Sequence, residues 1–108
     1  MDQDVRHAVI VRSQNRCECG CGRKIPPGEL DHAFGRAKAE ETVETCWMLS
    51  VQCHFEKTRN HPDASTWLRR FAEHCDRHGY TEAASRARAR FDFVDTRRTL
   101  GSALGTIR

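Results

Sequence analysis

"TCWMLSVQCHFEKT", residues 45–58, decides how this chain is read. Its apolar positions Cys46, Met48, Leu49 and Phe55 are better spaced for a helix than for a strand, so a helix is predicted from about Thr45 onward. Inside it Cys53 and His54 are adjacent. Consecutive residues at a helix start diverge by about 100°, so the two side chains are poorly placed to hold one ion together. If both bind metal, they face different partners elsewhere in the chain.

Upstream, "CECGCGRKIPPGELDH" (residues 17–32) carries three cysteines, Cys17, Cys19 and Cys21. Gly20 and Gly22 free the backbone for a tight knuckle, and Pro26, Pro27 and Gly28 mark a turn. The expected result is a short hairpin, with Lys24 and Ile25 on one strand and Glu29 to His32 on the other. A structural zinc needs four ligands in a tetrahedron, usually thiolates. Cys17, Cys19, Cys21 and Cys53 could supply them, yet the position three before Cys53 is Ser50, where a C-x-x-C pair would have a cysteine. Three readings stay open: these four contribute, Cys46 is recruited, or zinc is absent. Cys46 and Cys75 otherwise read as buried apolar residues.

A second constellation joins "LDHAFGR" to "CHFEKT". Asp31 is a hard oxygen donor, and His32 beside it is a base that can be neutral near pH 7. His54 could complete the grip on a divalent ion. Phosphodiester hydrolysis needs a metal to neutralise the phosphate and leaving oxygen, and a base to deprotonate water.

Taken in order, "RCECGCG", "ELDHAFGR" and "ETCWMLSVQCHFEKT" resemble the HNH endonucleases, whose ββα-metal core of two strands and a helix holds one catalytic divalent ion. The resemblance covers about Val5 to Asn60. It implies that His32 is the general base, that Asp31 and His54 hold Mg²⁺ (or Mn²⁺, Ni²⁺ or Zn²⁺), and that Lys57, Arg59 and Arg36 lie near the phosphates of a DNA substrate. The family's middle asparagine aligns by count with Thr45, which has one hydroxyl in place of a two-sided amide. Cys17, Cys19, Cys21 and Cys53 are then the structural zinc set.

The flanks look helical. Val5, Ala8, Val9 and Arg12 mark a helix over about residues 3–14. After a break at His61-Pro62-Asp63, Trp67, Leu68, Phe71, Ala72 and Cys75 form the core-facing stripe of another, with Gly79 suited to its left-handed cap. Thr81 is the next expected N-cap, before a stripe of Ala83, Ala84, Ala87, Phe91 and Val94, and "GSALGTIR" should fray. His61, His74 and His78 are expected to face solvent. Arg86, Arg90 and Arg97 share one face that is either solvated or able to track a phosphate backbone.

The expected fold is therefore α+β: a small ββα-metal core over residues 1–60, with an N-terminal helix, and a pair of C-terminal helices over 61–108 packed on the same single domain. A net charge of +3, a pI near 8.7 and a mean hydropathy of −0.73 fit a nucleic-acid partner and a thin apolar core that a bound metal would support. No sustained apolar run suggests export or membrane insertion, so a cytoplasmic location is expected, and six cysteines then favour metal or reactive thiols over disulfides. The rival expectation is an inactive zinc-binding module that docks on nucleic acid or protein, and the C-terminal helices could dock a protein partner in either case.

Overall fold

The computed structural model describes residues 3–35, 41–59 and 64–107, with side chains in the last helix described as far as Val94. Arg36 and the His61-Pro62-Asp63 break lie outside the described residues, as do the side chains of Arg97 and Arg98. Among the described residues the fold is α+β, with four helices and one two-stranded antiparallel sheet: α1 (Gln3–Ser13), β1 (Gly28–His32), β2 (Cys46–Ser50), α2 (Val51–Arg59), α3 (Ala64–His78) and α4 (Thr81–Ile107).

The predicted hairpin and the helix from Thr45 both need correction. Glu29 to His32 pair with Leu49 to Cys46, and Lys24 instead bridges Arg16. Pro26 and Pro27 have no N–H for a ladder. Gly28 then passes so close to its neighbours that a Cβ there would lie 3.0 Å from Ile25 Cγ2 and 3.1 Å from the Leu49 carbonyl, so only glycine makes this turn without displacement.

Cys46 to Ser50 form a strand because the segment is buried on both faces. Trp47 and Leu49 join a core with Cys53, Trp67, Phe71, Ala72, Cys75 and the α4 alanines. Cys46 and Met48 point the other way, onto Val9, Ile25 and Leu30. A strand apolar on both sides has no alternation to reveal it. Side chains from before and after residue 60 thus fill the first of these clusters.

The Ser50 hydroxyl accepts the Cys53 N–H at 3.2 Å and caps α2, which explains where strand becomes helix. At the end of α3 the Tyr80 N–H reaches the Cys75 carbonyl (2.9 Å) and the Gly79 N–H that of Asp76 (3.3 Å), with Gly79 at φ +74°: the Schellman arrangement that the glycine predicted. The Tyr80 carbonyl takes the first helical bond of α4, from Ala84 N, so Tyr80 and not Thr81 holds the N-cap position. The helix continues to Ile107 where fraying was expected. No helix among the described residues is long and apolar enough to cross a membrane.

Candidate metal centres

Left-handed Gln14 and Asn15 end α1 and feed the chain into the knuckle, where Cys17 N bonds to Arg23 O (2.8 Å) and Ile25 N to Asn15 O (2.9 Å). Gly20 (φ +91°) and Gly22 (φ +82°) make the reversals between. The loop buries Cys17 and Cys19 and leaves Cys21 exposed beside them, and the first turn of α2 brings Cys53 to all three.

All four sulfurs lie within 4.8 Å of one another. Cys17 and Cys19 are 3.3 Å apart, and Cys53 is 3.6 Å from both Cys19 and Cys21. Four thiolates at about 2.3 Å around a tetrahedral zinc would be about 3.8 Å apart, so the donor set and its spacing fit such an ion. Cys46 is not recruited. It sits on the opposite face of the sheet, where burial pushes its thiol pKa up. Ser50 is no ligand either, since its hydroxyl caps the helix while its N–H bonds to Cys17 Sγ at 3.2 Å.

Electrostatics single out Cys17 as the thiolate of the cluster. The contact between the Cys17 and Cys19 sulfurs, together with the Ser50 N–H, lowers the Cys17 pKa to about 4, against burial. Holding the shared proton, Cys19 is pushed up, and burial raises Cys53. Arg23 places its guanidinium 3.3 Å from Cys53 Sγ, a positive charge that offsets the gathered sulfurs.

The second site lies on the β1 face that α2 covers. Asp31 and His54, 23 positions apart in the chain, bring Oδ1 and Nε2 to 3.6 Å. That is too long for a hydrogen bond and suits two ligands on either side of one cation. Three contacts that the sequence reading missed set this geometry. Glu29, two residues before Asp31 and so on the same strand face, meets His54 Nδ1 at 2.5 Å. With Nδ1–H donating to that carboxylate, Nε2 keeps its lone pair toward Asp31. The indole N–H of buried Trp47 donates to Asp31 Oδ2 at 2.8 Å, and Lys57 Nζ sits 2.6 Å from the same oxygen.

The chain matches no family model, no curated protein and no solved structure. The reading of this site therefore rests on its own residues.

Strand alternation turns His32 to the face opposite Asp31. There its Nε2 lies 3.1 Å from Glu41 Oε1, a partner inside a polar loop that gave no signal in the sequence. The Thr45 hydroxyl meets Thr42 Oγ1 at 2.8 Å, and its carbonyl accepts Ala33 N at 3.0 Å. Thr45 thus clips the loop after His32, and the side chain that meets the imidazole is Glu41's. Arg59 stands over the exposed Phe55 ring at 5.8 Å, on the last turn of α2.

The expectation for the α3 histidines is overturned for His74, which is 1% exposed among Trp47, Phe71 and Tyr80. It continues the Trp67–Phe71 stripe at helical spacing, a signal that was present in the sequence. His61 lies outside the described residues. On α4, Arg86 and Arg90 stand 4.1 and 6.0 Å over the Phe34 ring.

Proposed function

We propose that this protein is a metal-dependent endonuclease of the HNH type, hydrolysing phosphodiester bonds in DNA. The observation that carries the reading is the meeting of Asp31 Oδ1 and His54 Nε2 at 3.6 Å, beside Lys57, on a strand and helix joined to a four-cysteine knuckle. Asp31 and His54 would hold one divalent ion such as Mg²⁺, and that ion supplies charge neutralisation at the phosphate and the leaving oxygen.

The remaining work falls to the chain. Glu29 fixes the His54 tautomer, and the Trp47 N–H fixes the Asp31 carboxylate. His32 accepts the proton of the attacking water, and Glu41 steadies the imidazolium that results, as a carboxylate behind a histidine base does in other hydrolases. Because His32 and Asp31 leave β1 on opposite faces, the phosphate must lie across the end of the strand to meet both. Lys57 supplies positive charge where that phosphate arrives, with Arg59 one half-turn beyond it. Arg36 has this role by resemblance alone.

Purified protein should nick a supercoiled plasmid when Mg²⁺ or Mn²⁺ is added. His32→Ala should slow this by roughly 10²- to 10⁴-fold, the span of a lost general base, while thermal unfolding stays near wild type. Undiminished cleavage by both Asp31→Asn and His54→Ala would remove the site from the mechanism.

One observation favours an inactive zinc-binding module instead. Asp31 Oδ2 already has two donors in Trp47 and Lys57, so its carboxylate is satisfied without an ion. That reading predicts stoichiometric zinc, salt-dependent DNA association and no cleavage under any divalent metal.

A further inference from the structure

The knuckle, the end of α1 and α3 enclose a cleft of about 300 Å³, with Cys17 of the sulfur cluster in its wall. Glu18 lies in its wall, between Cys17 and Cys19 in sequence. Facing it are His74 and His78, one turn apart on α3. Glu18 Oε2 is 3.8 Å from His74 Nδ1 and 4.0 Å from His78 Nε2, and the three residues can bring one donor atom each within 4.8 Å of the others. The His74 ring is fully buried, and Nδ1 is the ring nitrogen turned toward Glu18.

We propose that Glu18, His74 and His78 form a third cation site, selective for a divalent transition metal of the zinc class, which clasps the knuckle to α3. Two imidazole nitrogens and a carboxylate oxygen are the donors of three-residue zinc centres that leave a fourth position to solvent, and the open cleft supplies that solvent. Nitrogen donors favour zinc, nickel or cobalt over magnesium and calcium. Around zinc the donors would lie about 3.4 Å apart, so the present distances close by roughly half an ångström. The partly exposed His78 can move that far.

Burial, with Arg12, His78 and Arg77 nearby, holds His74 as the neutral imidazole that a metal requires. Arg12 donates Nε to Glu18 Oε2 (2.8 Å) and Nη2 to Oε1 (2.9 Å), and Met48 N bonds to Oε1 as well (2.9 Å). Such bonds orient ligating carboxylates in other metal sites. The charges of Arg12 and Arg77 oppose a cation, but four thiolates around one divalent ion leave two negative charges next to Glu18.

The test is a cobalt(II) titration of the full-length His54→Ala protein, which takes the Asp31 pair out of play. It is read by optical absorption, native mass spectrometry and histidine ring ¹⁵N shifts. Two equivalents should bind, one with thiolate charge-transfer bands and one with only weak ligand-field bands. The second should move the ring signals of His74 and His78. Adding His78→Ala should weaken that equivalent by about 100-fold or more and leave the thiolate bands unchanged. The proposal fails if only the thiolate equivalent binds, if His78→Ala takes up both equally, or if the shifted signals belong to other histidines. None of these outcomes depends on DNA cleavage, so the clasp and the nuclease reading stand or fall separately.

Discussion

Glu29 tests whether the Asp31–His54 pair is a metal site at all. Its Oε2 meets His54 Nδ1 at 2.5 Å, and its only evident task is to point Nε2 at Asp31. Glu29→Gln keeps the size and an accepting oxygen but removes the charge that makes the imidazole a better donor. Losing an outer partner of a metal-bound histidine costs 10- to 100-fold in affinity. Glu29 is 51% exposed, and water screens the pair, so the low end applies: about 10-fold, or ~1.4 kcal/mol. The assay is the initial rate of plasmid nicking against Mg²⁺ concentration. The half-saturating concentration should rise about 10-fold while the plateau rate changes little, and Glu29→Ala, which also frees the ring, should shift it further. Stability should move by no more than about 0.5 kcal/mol, as for an ordinary surface substitution, which separates the effect from unfolding. Wild-type metal dependence in both variants would refute the idea that this carboxylate positions His54 for an ion.

The other expectations concern the scaffold and its charges. Cys53→Ser should lose the single zinc equivalent held by the thiolates, measured by elemental analysis, and with it cooperative unfolding, since structural zinc contributes about 10–16 kcal/mol in small domains. Ser50→Ala should keep that zinc and lose only about 1 kcal/mol in urea denaturation, because Ser50 is a cap; loss of zinc would make it part of the metal site. Burial first, and then Arg12, His78 and Arg77, lower the His74 pKa from 6.5 to about 3, with the Glu18 carboxylate 3.8 Å from its Nδ1. Between those values the unfolded chain binds a proton that the folded chain refuses, so this contribution is complete above about pH 6.5 and drains as pH falls toward 3. Across that window wild type should lose on the order of 5 kcal/mol more stability than His74→Phe, and parallel pH profiles would contradict the burial argument. Lys57→Met should bind Mg²⁺ more tightly, because the ammonium no longer competes for Asp31 Oδ2, yet cleave more slowly; a weaker metal response would show that Lys57 supports the ion.

What could be read from the sequence follows the physics of each signal. Cysteine, histidine and aspartate are few and chemically distinctive, so the knuckle set and the Asp31–His54 pair stood out before any geometry was known. The α3 stripe was equally plain, because one buried face against solvent leaves a period of 3.6. β2 was not, since burial on both faces removes the contrast that marks a strand. Glu29 was within reach, since the strand predicted for Glu29 to His32 already puts it on the Asp31 face, but a lone carboxylate there carried no signal of its own until its contact with His54 was seen. Glu41 reaches His32 from a loop with no periodicity, and only coordinates bring it there.

The first turn of α2 joins these parts mechanically. Ser50 caps it, Cys53 points into the sulfur cluster and His54 points at Asp31, all within five residues. A side-chain tip lies about 5–6 Å from a helix axis, so a 20° rotation of α2 would carry His54 Nε2 by about 2 Å. That displacement is more than half of its 3.6 Å separation from Asp31 Oδ1. Lys57, one turn on, holds the same carboxylate from the other side and resists the rotation only through a flexible stem. Cys53 is the rigid stop. Stripping the knuckle metal should therefore silence cleavage along with cooperative folding, with no zinc chemistry at the phosphate, because the thiolates set the angle at which His54 meets Asp31.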